Sequence, residues 1–263
     1  MKITGYRSAN GTAYRTYDLR ILDDNTAVGW LEDDFHHFGI TVVHDGHRVT
    51  DIRMASPRTP WTACSGASEP LRALVGQPLI TRASDIGELI EMRLQCTHVF
   101  DLTGLLLAHI ANRHQRQEHW RYLSEVPDRP IVAEEYALAS FGPGEAKLYL
   151  NDTLVMRWEI DGEMITGPEP YGGHSQNEGF RAWTESLPEL EAEYATILRR
   201  AIRTACGRAI NSDDFPTAAD MSSKPLCHAF QPQQRSSARR NLGNAHDYTS
   251  HPEDMLINVK EIP

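Results

Sequence analysis

Apolar and polar positions change their period twice along the chain, and each change marks a change of element. At the N-terminal end the period is close to two, the spacing that sends successive side chains to opposite faces of a strand. Residues 14–22, 27–31, 38–44 and 48–54 therefore read as strands. Asp23-Asp24-Asn25 turns the first pair, and Asp45-Gly46 supplies the positive φ angles of a tight hairpin between the last two. Pro57 and Pro60 close this antiparallel meander.

The period then lengthens to about 3.6 residues. Residues 69–75 are a short helix candidate, and Ser84 caps a second helix whose Ile86, Leu89, Ile90 and Leu94 fall at helical spacing. A third begins near Thr97, as its N-cap, and continues to Arg116. Leu102, Leu105, Leu106, Leu107 and Ile110 make it apolar over much of its girth, the pattern of a central buried helix.

Residues 118–129 are polar and end in prolines, so they read as a loop crossing between two halves. A second meander follows over 135–141, 146–150, 154–160 and 163–166, with turns at Gly142-Pro143-Gly144 and Asp161-Gly162. After a loop rich in Gly, Pro and His (167–179), residues 189–206 carry Leu190, Tyr194, Ile197, Leu198, Ala201 and Ile202 on one stripe, an amphipathic structural helix. The C-terminal stretch wraps the body as loop, with Cys227-His228-Ala229-Phe230 inserting locally. The fold class expected is α+β: two antiparallel β-meanders packed on a group of helices, with a long irregular C-terminal tail. Two segmentations stay open. Either 1–117 (first meander and helices) and 118–263 (second meander, amphipathic helix and tail) are separate domains, or the chain is one.

Composition narrows the function classes. Across 263 residues, 36 Asp and Glu against 26 Lys and Arg give a formal net charge of -10, which argues against a phosphate backbone as partner. The chain lacks a window of roughly 20 apolar residues such as a bilayer span needs, and Met1-Lys2-Ile3-Thr4-Gly5-Tyr6-Arg7 lacks the apolar run of a secretion signal. A cytoplasmic protein follows as the expectation, with no nucleic acid and no membrane, a small-molecule substrate as partner, and self-association left open. Cys64, Cys96, Cys206 and Cys227 are then buried thiols, and without a Cys-x-x-Cys pair a structural zinc of the usual type is not expected.

The densest chemistry is Cys96-Thr97-His98-Val99-Phe100-Asp101 at the start of the third helix. His98 and Asp101, three apart, share a helix face. A carboxylate beside an imidazole fixes its tautomer, as general acid–base work requires. The helix N-terminus is expected to lower the pKa of the Cys96 thiol. The same residues also suit a capped, packed helix start. His36 and His37 enter a strand, where alternation turns one of them inward; His44 and His47, around the Asp45-Gly46 turn, read as solvated. The loop around Pro168, Tyr171, Gly172, Gly173 and His174 has the make-up of a lid, yet equally that of an ordinary glycine-rich connection. Zincin, α/β-hydrolase and Rossmann signatures are missing. An ion held by His36, His98 and Asp101 stays open, but no spacing demands it, and no cofactor is expected.

Around Cys96-Thr97-His98 the chain resembles a bacterial family of unknown function, the one numbered two-eight-eight-nine. That family pattern has a His before a strand ending in Val-Asp, then Pro and Cys, Leu-Val-Gly, and Gly-Cys-Thr-His-Leu with an acid three residues after the His. The residues here are His36 with Val43 and Asp45, Pro60 with Cys64, Leu74-Val75-Gly76, and Gln95-Cys96-Thr97-His98-Val99 with Asp101. Order and spacing agree over residues 14–112. The departures are Gln95 for Gly, Val99 for Leu, His37 for Asp, and His44 inserted before Asp45; they leave His36, Cys96, His98 and Asp101 intact. Pro168-Glu169-Pro170-Tyr171 and Cys227 to Pro232 look like features of a longer variant. The resemblance names no reaction, but implies a place in bacterial pathways degrading aromatic, steroid-like or acyl thioester compounds.

The function expected is thus a cofactor-independent hydratase, lyase or isomerase. His98 is its acid or base, Asp101 the orienting partner, and His36 a second titratable group or an oxyanion donor. Cys96, Thr97, Tyr171, His174 and Cys64 are expected to line the substrate site. The alternatives are a non-catalytic binding or scaffold protein and a metal-dependent hydrolase.

Overall fold

The computed structural model describes residues 10–257 and residue 259; Met1 to Arg7, read above for a leader, lie outside them. Eight strands form an antiparallel sheet in the order β4-β3-β2-β1-β5-β6-β7-β8, and with the helices this makes an α+β fold. The first four are β1 (Thr12–Ile21), β2 (Thr26–Asp33), β3 (His37–His44) and β4 (Val49–Arg58). The others are β5 (His119–Pro127), β6 (Gly144–Leu150), β7 (Thr153–Asp161) and β8 (Met164–Gly167).

The chain divides into two compact units, each discontinuous in sequence. One holds the described residues through Thr16, Tyr122–Asn211 and Asp247–Met255; the other holds Tyr17–Arg121, Ser212–His246 and the described residues from Leu256. Residues 212–246 are therefore grouped with the first half of the chain.

In the second of these units the long apolar helix, α1 (Thr97–Ala111), covers β2 and β3 with Val99, Leu102, Leu106 and Leu107 sealed from solvent. Gly29 of β2 permits the approach, since a Cβ there would meet Leu102 at 3.1 Å. The helix ends at Ala111 and does not reach Arg116. Asn112 leaves helical geometry, and its side chain bonds the Ala108 carbonyl at 3.0 Å and that of Thr81 at 2.8 Å. The helix expected to run from Ser84 through Leu94 is broken. Ile86–Leu89 is one turn, Ile90 goes extended to bury its side chain, and Leu94 stays exposed. Returning tail residues complete the core, with Phe230 edge-on against Trp61 at 5.7 Å. The short turn His228–Phe230 buries Ala229 and Phe230 as the local apolar insert predicts.

In the other unit, most of β5 contradicts the crossing loop expected at 118–129. Along the strand Trp120, Tyr122, Ser124 and Val126 point inward in strict alternation, a period of two masked by the charges between them. Residues 135–141 form no strand; they make a helical turn, Leu138–Ser140, before Phe141 bridges Ile131. The β6–β7 hairpin turns on Asn151 and Asp152, both at positive φ. The amphipathic helix α2 (Glu189–Cys206) spans the expected residues and buries Tyr194, Ile197, Leu198, Ala201 and Ile202. It also buries Glu193, which accepts a short hydrogen bond from the Tyr122 hydroxyl.

Candidate functional site

The tight turn from β2 to β3 is made by its own first residue. Asp33 donates its N–H to the His36 carbonyl at 2.9 Å. Its Oδ1 accepts from the N–H groups of Phe35 and His36 and lies 2.9 Å from His36 Nδ1. Those bonds lock a carboxylate that is only 1% exposed against the His36 ring. Leu31 pairs with Phe38 in the register of the two strands, so the short turn fixes which way the histidine faces.

His98 arrives from the first turn of α1. Its Nε2 stands 3.7 Å from Asp33 Oδ2, and its ring stacks on that of His36 with centroids 3.6 Å apart and 26° between planes. His98 Nδ1 faces the Thr97 hydroxyl at 3.5 Å and the Cys96 sulfur at 3.9 Å. The side chains of His36 and His98 keep 14% and 15% exposure, while the buried ring of Phe38 lies 6.0 and 6.3 Å from the two imidazoles. The result is one buried carboxylate, two imidazoles that keep a small solvent-reachable fraction, and an aromatic floor.

Other expected site residues fall as follows. Asp101 is half-buried on α1, and its charge acts on Cys96. A carboxylate that the sequence reading missed, Asp33, stands beside His98 Nε2. Its signal was available: Asp33 and His36 are three apart, the spacing that singled out His98 and Asp101. Thr97 is the first helical residue and Cys96 the N-cap, one position earlier than expected. The Cys96 thiol is not activated by the helix terminus. Burial pushes it up to about 12, Cys227 and Asp101 adding to the rise over the opposing backbone N–H groups. Cys64 is buried near it and raised well above the ordinary thiol range, chiefly by burial.

Tyr171 and His174 belong to the other compact unit. Their loop is stitched to β8, with Ile165 N–H to His174 O at 2.9 Å and Gly173 N–H to Ile165 O at 2.8 Å. His174 stacks on Trp183 at 4.3 Å, and burial together with Glu191 raises the Tyr171 phenol.

His37 takes the opposite strand face from His36, lying 3.7 Å from Glu32 Oε1 and 5.3 Å from the Trp30 ring. Burial, aided by Arg58 and His246, holds it below the usual imidazole range against the pull of Glu32. His44, expected to be solvated, is buried: the hairpin folds Gly46 N–H onto its Nδ1 at 3.1 Å, and burial first, Arg113 second, lowers its pKa. His47 is exposed as expected.

Fold and site together define an antiparallel α+β protein with a two-histidine, one-carboxylate cluster at a strand turn and a helix start. Residues 15–111, which hold that entire cluster, match the model of the family described as protein of unknown function (DUF2889). No curated protein matches the chain. Among the described residues no helix is long and apolar enough to cross a membrane.

Proposed function

We propose that the chain is an enzyme that moves protons on a small, largely apolar molecule, as a hydratase, lyase or isomerase does, with Asp33, His36 and His98 as its working groups. The observation that carries this reading is a single buried carboxylate touched by two stacked, solvent-reachable imidazoles. With the Nδ1–H of His36 donated to Asp33 Oδ1, the Nε2 of that ring keeps a lone pair and serves as base. His98, with Nε2 toward the other carboxylate oxygen, is the acid; one carboxylate balances one imidazolium. The aromatic surroundings suit an apolar substrate of the aromatic, steroid-like or acyl thioester kind. A bacterial cytoplasm, which keeps the four cysteines as thiols, fits the same reading.

Deuterium uptake tests it without knowledge of the product. Candidate thioesters and aromatic acids are incubated with the protein in D2O and examined by mass spectrometry. The native chain is expected to exchange a substrate hydrogen, and folded His36→Ala and His98→Ala to do so about 10²–10⁴ times more slowly. Equal exchange by the variants sinks the assignment.

A second reading has one observation in its favour: ligand atoms of Asp33, His36 and His98 all lie within 4.8 Å of one another, a donor set that suits a divalent transition metal. The stack favours acid–base work, because an ion lies close to the plane of each ring that binds it, and rings stacked 3.6 Å apart at 26° have planes that meet only well away from both rings. Stoichiometric zinc or iron in the purified protein, lost in His98→Ala, would reverse that preference.

A further inference from the structure

In the turn that carries Asp33 and His36, the Phe35 and His36 N–H groups go to the Asp33 carboxylate and the Asp33 N–H to the His36 carbonyl, while the carbonyls of Asp33, Asp34 and Phe35 are satisfied by residues far away in sequence. Arg58, at the end of β4, gives Nη2 to Asp33 O at 2.6 Å and to Glu32 Oε1 at 3.0 Å, and Nη1 to Asp34 O at 2.9 Å. That same Nη1 reaches Asn244 O at 3.0 Å, so the guanidinium bridges the turn to the tail. The tail closes from the other side, with Asn244 Nδ2 on Phe35 O at 2.6 Å and His246 N–H on Asp34 O at 2.7 Å. Asn244 is buried, and the Arg58 side chain keeps 12% exposure.

Buried carbonyls require partners, so these contacts decide where the turn sits. A planar guanidinium can serve four acceptors at fixed angles where an ammonium cannot. From this geometry we infer that Arg58 and Asn244 are positioning residues for Asp33 and His36. A tail segment outside the family-matched residues 15–111 thus completes the site in this chain. The inference rests on the reading of Asp33, His36 and His98 as working groups, and proton-transfer sites lose about 10² in rate for a misplacement near 1 Å.

The test uses full-length protein with ¹⁵N-labelled imidazoles. Arg58→Lys breaks the fork, and Asn244→Asp puts an acceptor against Phe35 O. Both are expected to unfold cooperatively as the native chain does. Each should also convert His36 from a locked Nδ1–H tautomer to the mixed signal of a solvated ring, with His109 unchanged as internal control. Deuterium exchange on substrate should fall at least about tenfold. Should Asn244→Asp fail to fold, Asn244→Ala, which removes only the Phe35 contact, takes its place. Folded variants with an unaltered His36 signal overturn the inference. Because the NMR signal needs no substrate, that failure is distinct from failure of the proposed activity, which His36→Ala reports.

Discussion

His109 shows what burial alone does to an imidazole in this protein. It sits on α1 with no exposed surface, its Nε2 3.3 Å from the Glu118 carbonyl and its Nδ1 buried without a hydrogen-bond partner. Burial lowers its pKa to about 4, Arg116 and His119 helping and the Glu118 bond opposing. In the unfolded chain the same group titrates near ~6.5. Above that pH neither state holds the proton and stability is unaffected. As pH falls from 6.5 toward 4 the unfolded chain takes up a proton the folded one refuses, and roughly 3 kcal/mol of stability is lost. His109→Gln, which keeps a donor for Glu118, should flatten the urea-unfolding midpoint across that window; an unchanged pH slope would contradict the assignment. At this scale residue type and spacing were informative for His36 and His98, yet their shared carboxylate was not visible. Asp33 lies 65 positions from His98, and the packing of α1 on β2 and β3 brings them together.

Elements were legible where one physical signal dominated. The apolar girth of α1 and the stripe of α2 form as their patterns imply, and the chain turns at Asp45-Gly46 and Asp161-Gly162, where the glycine of each pair, and not the aspartate, takes the positive φ. Where two signals competed, tertiary packing decided. Charged residues hid the alternation of β5, and burial of Ile90 ended a helix that periodicity would continue. Gly104 makes the same contest measurable. An alanine there gains about 1 kcal/mol of helix propensity, but its Cβ would stand 2.5 Å from the Ala83 carbonyl oxygen and 3.1 Å from Ile86. Because the nearer neighbour is backbone, the clash carries the full overpacking cost, about 1–3 kcal/mol before that gain is subtracted, and the balance falls on the destabilising side. Thermal unfolding of Gly104→Ala is expected to show a lower midpoint than the native chain; a higher one would mean that the turn at Ala83–Asp85 yields freely.

For the whole molecule, the tail is part of the structure that holds the site. Phe230 and Trp61 are both buried and meet edge to face, with the Arg240 guanidinium 5.6 Å from the Trp61 ring. Phe230→Ala should cost about 3–5 kcal/mol, read from urea unfolding, where a loss below 1 kcal/mol would show that the tail is only laid on the surface. Its irregular course was evident from Pro, Ser and Asn content, and its destination was not. Local chemistry along the chain determines periodicity, turn positions and the presence of histidines at a strand entry and a helix start, because these depend on neighbours within a few residues. Which carboxylate joins those histidines, which thiols are silenced by burial, and that Arg58 and Asn244 hold the turn follow from contacts across as many as 209 positions, which exist only once the chain has packed.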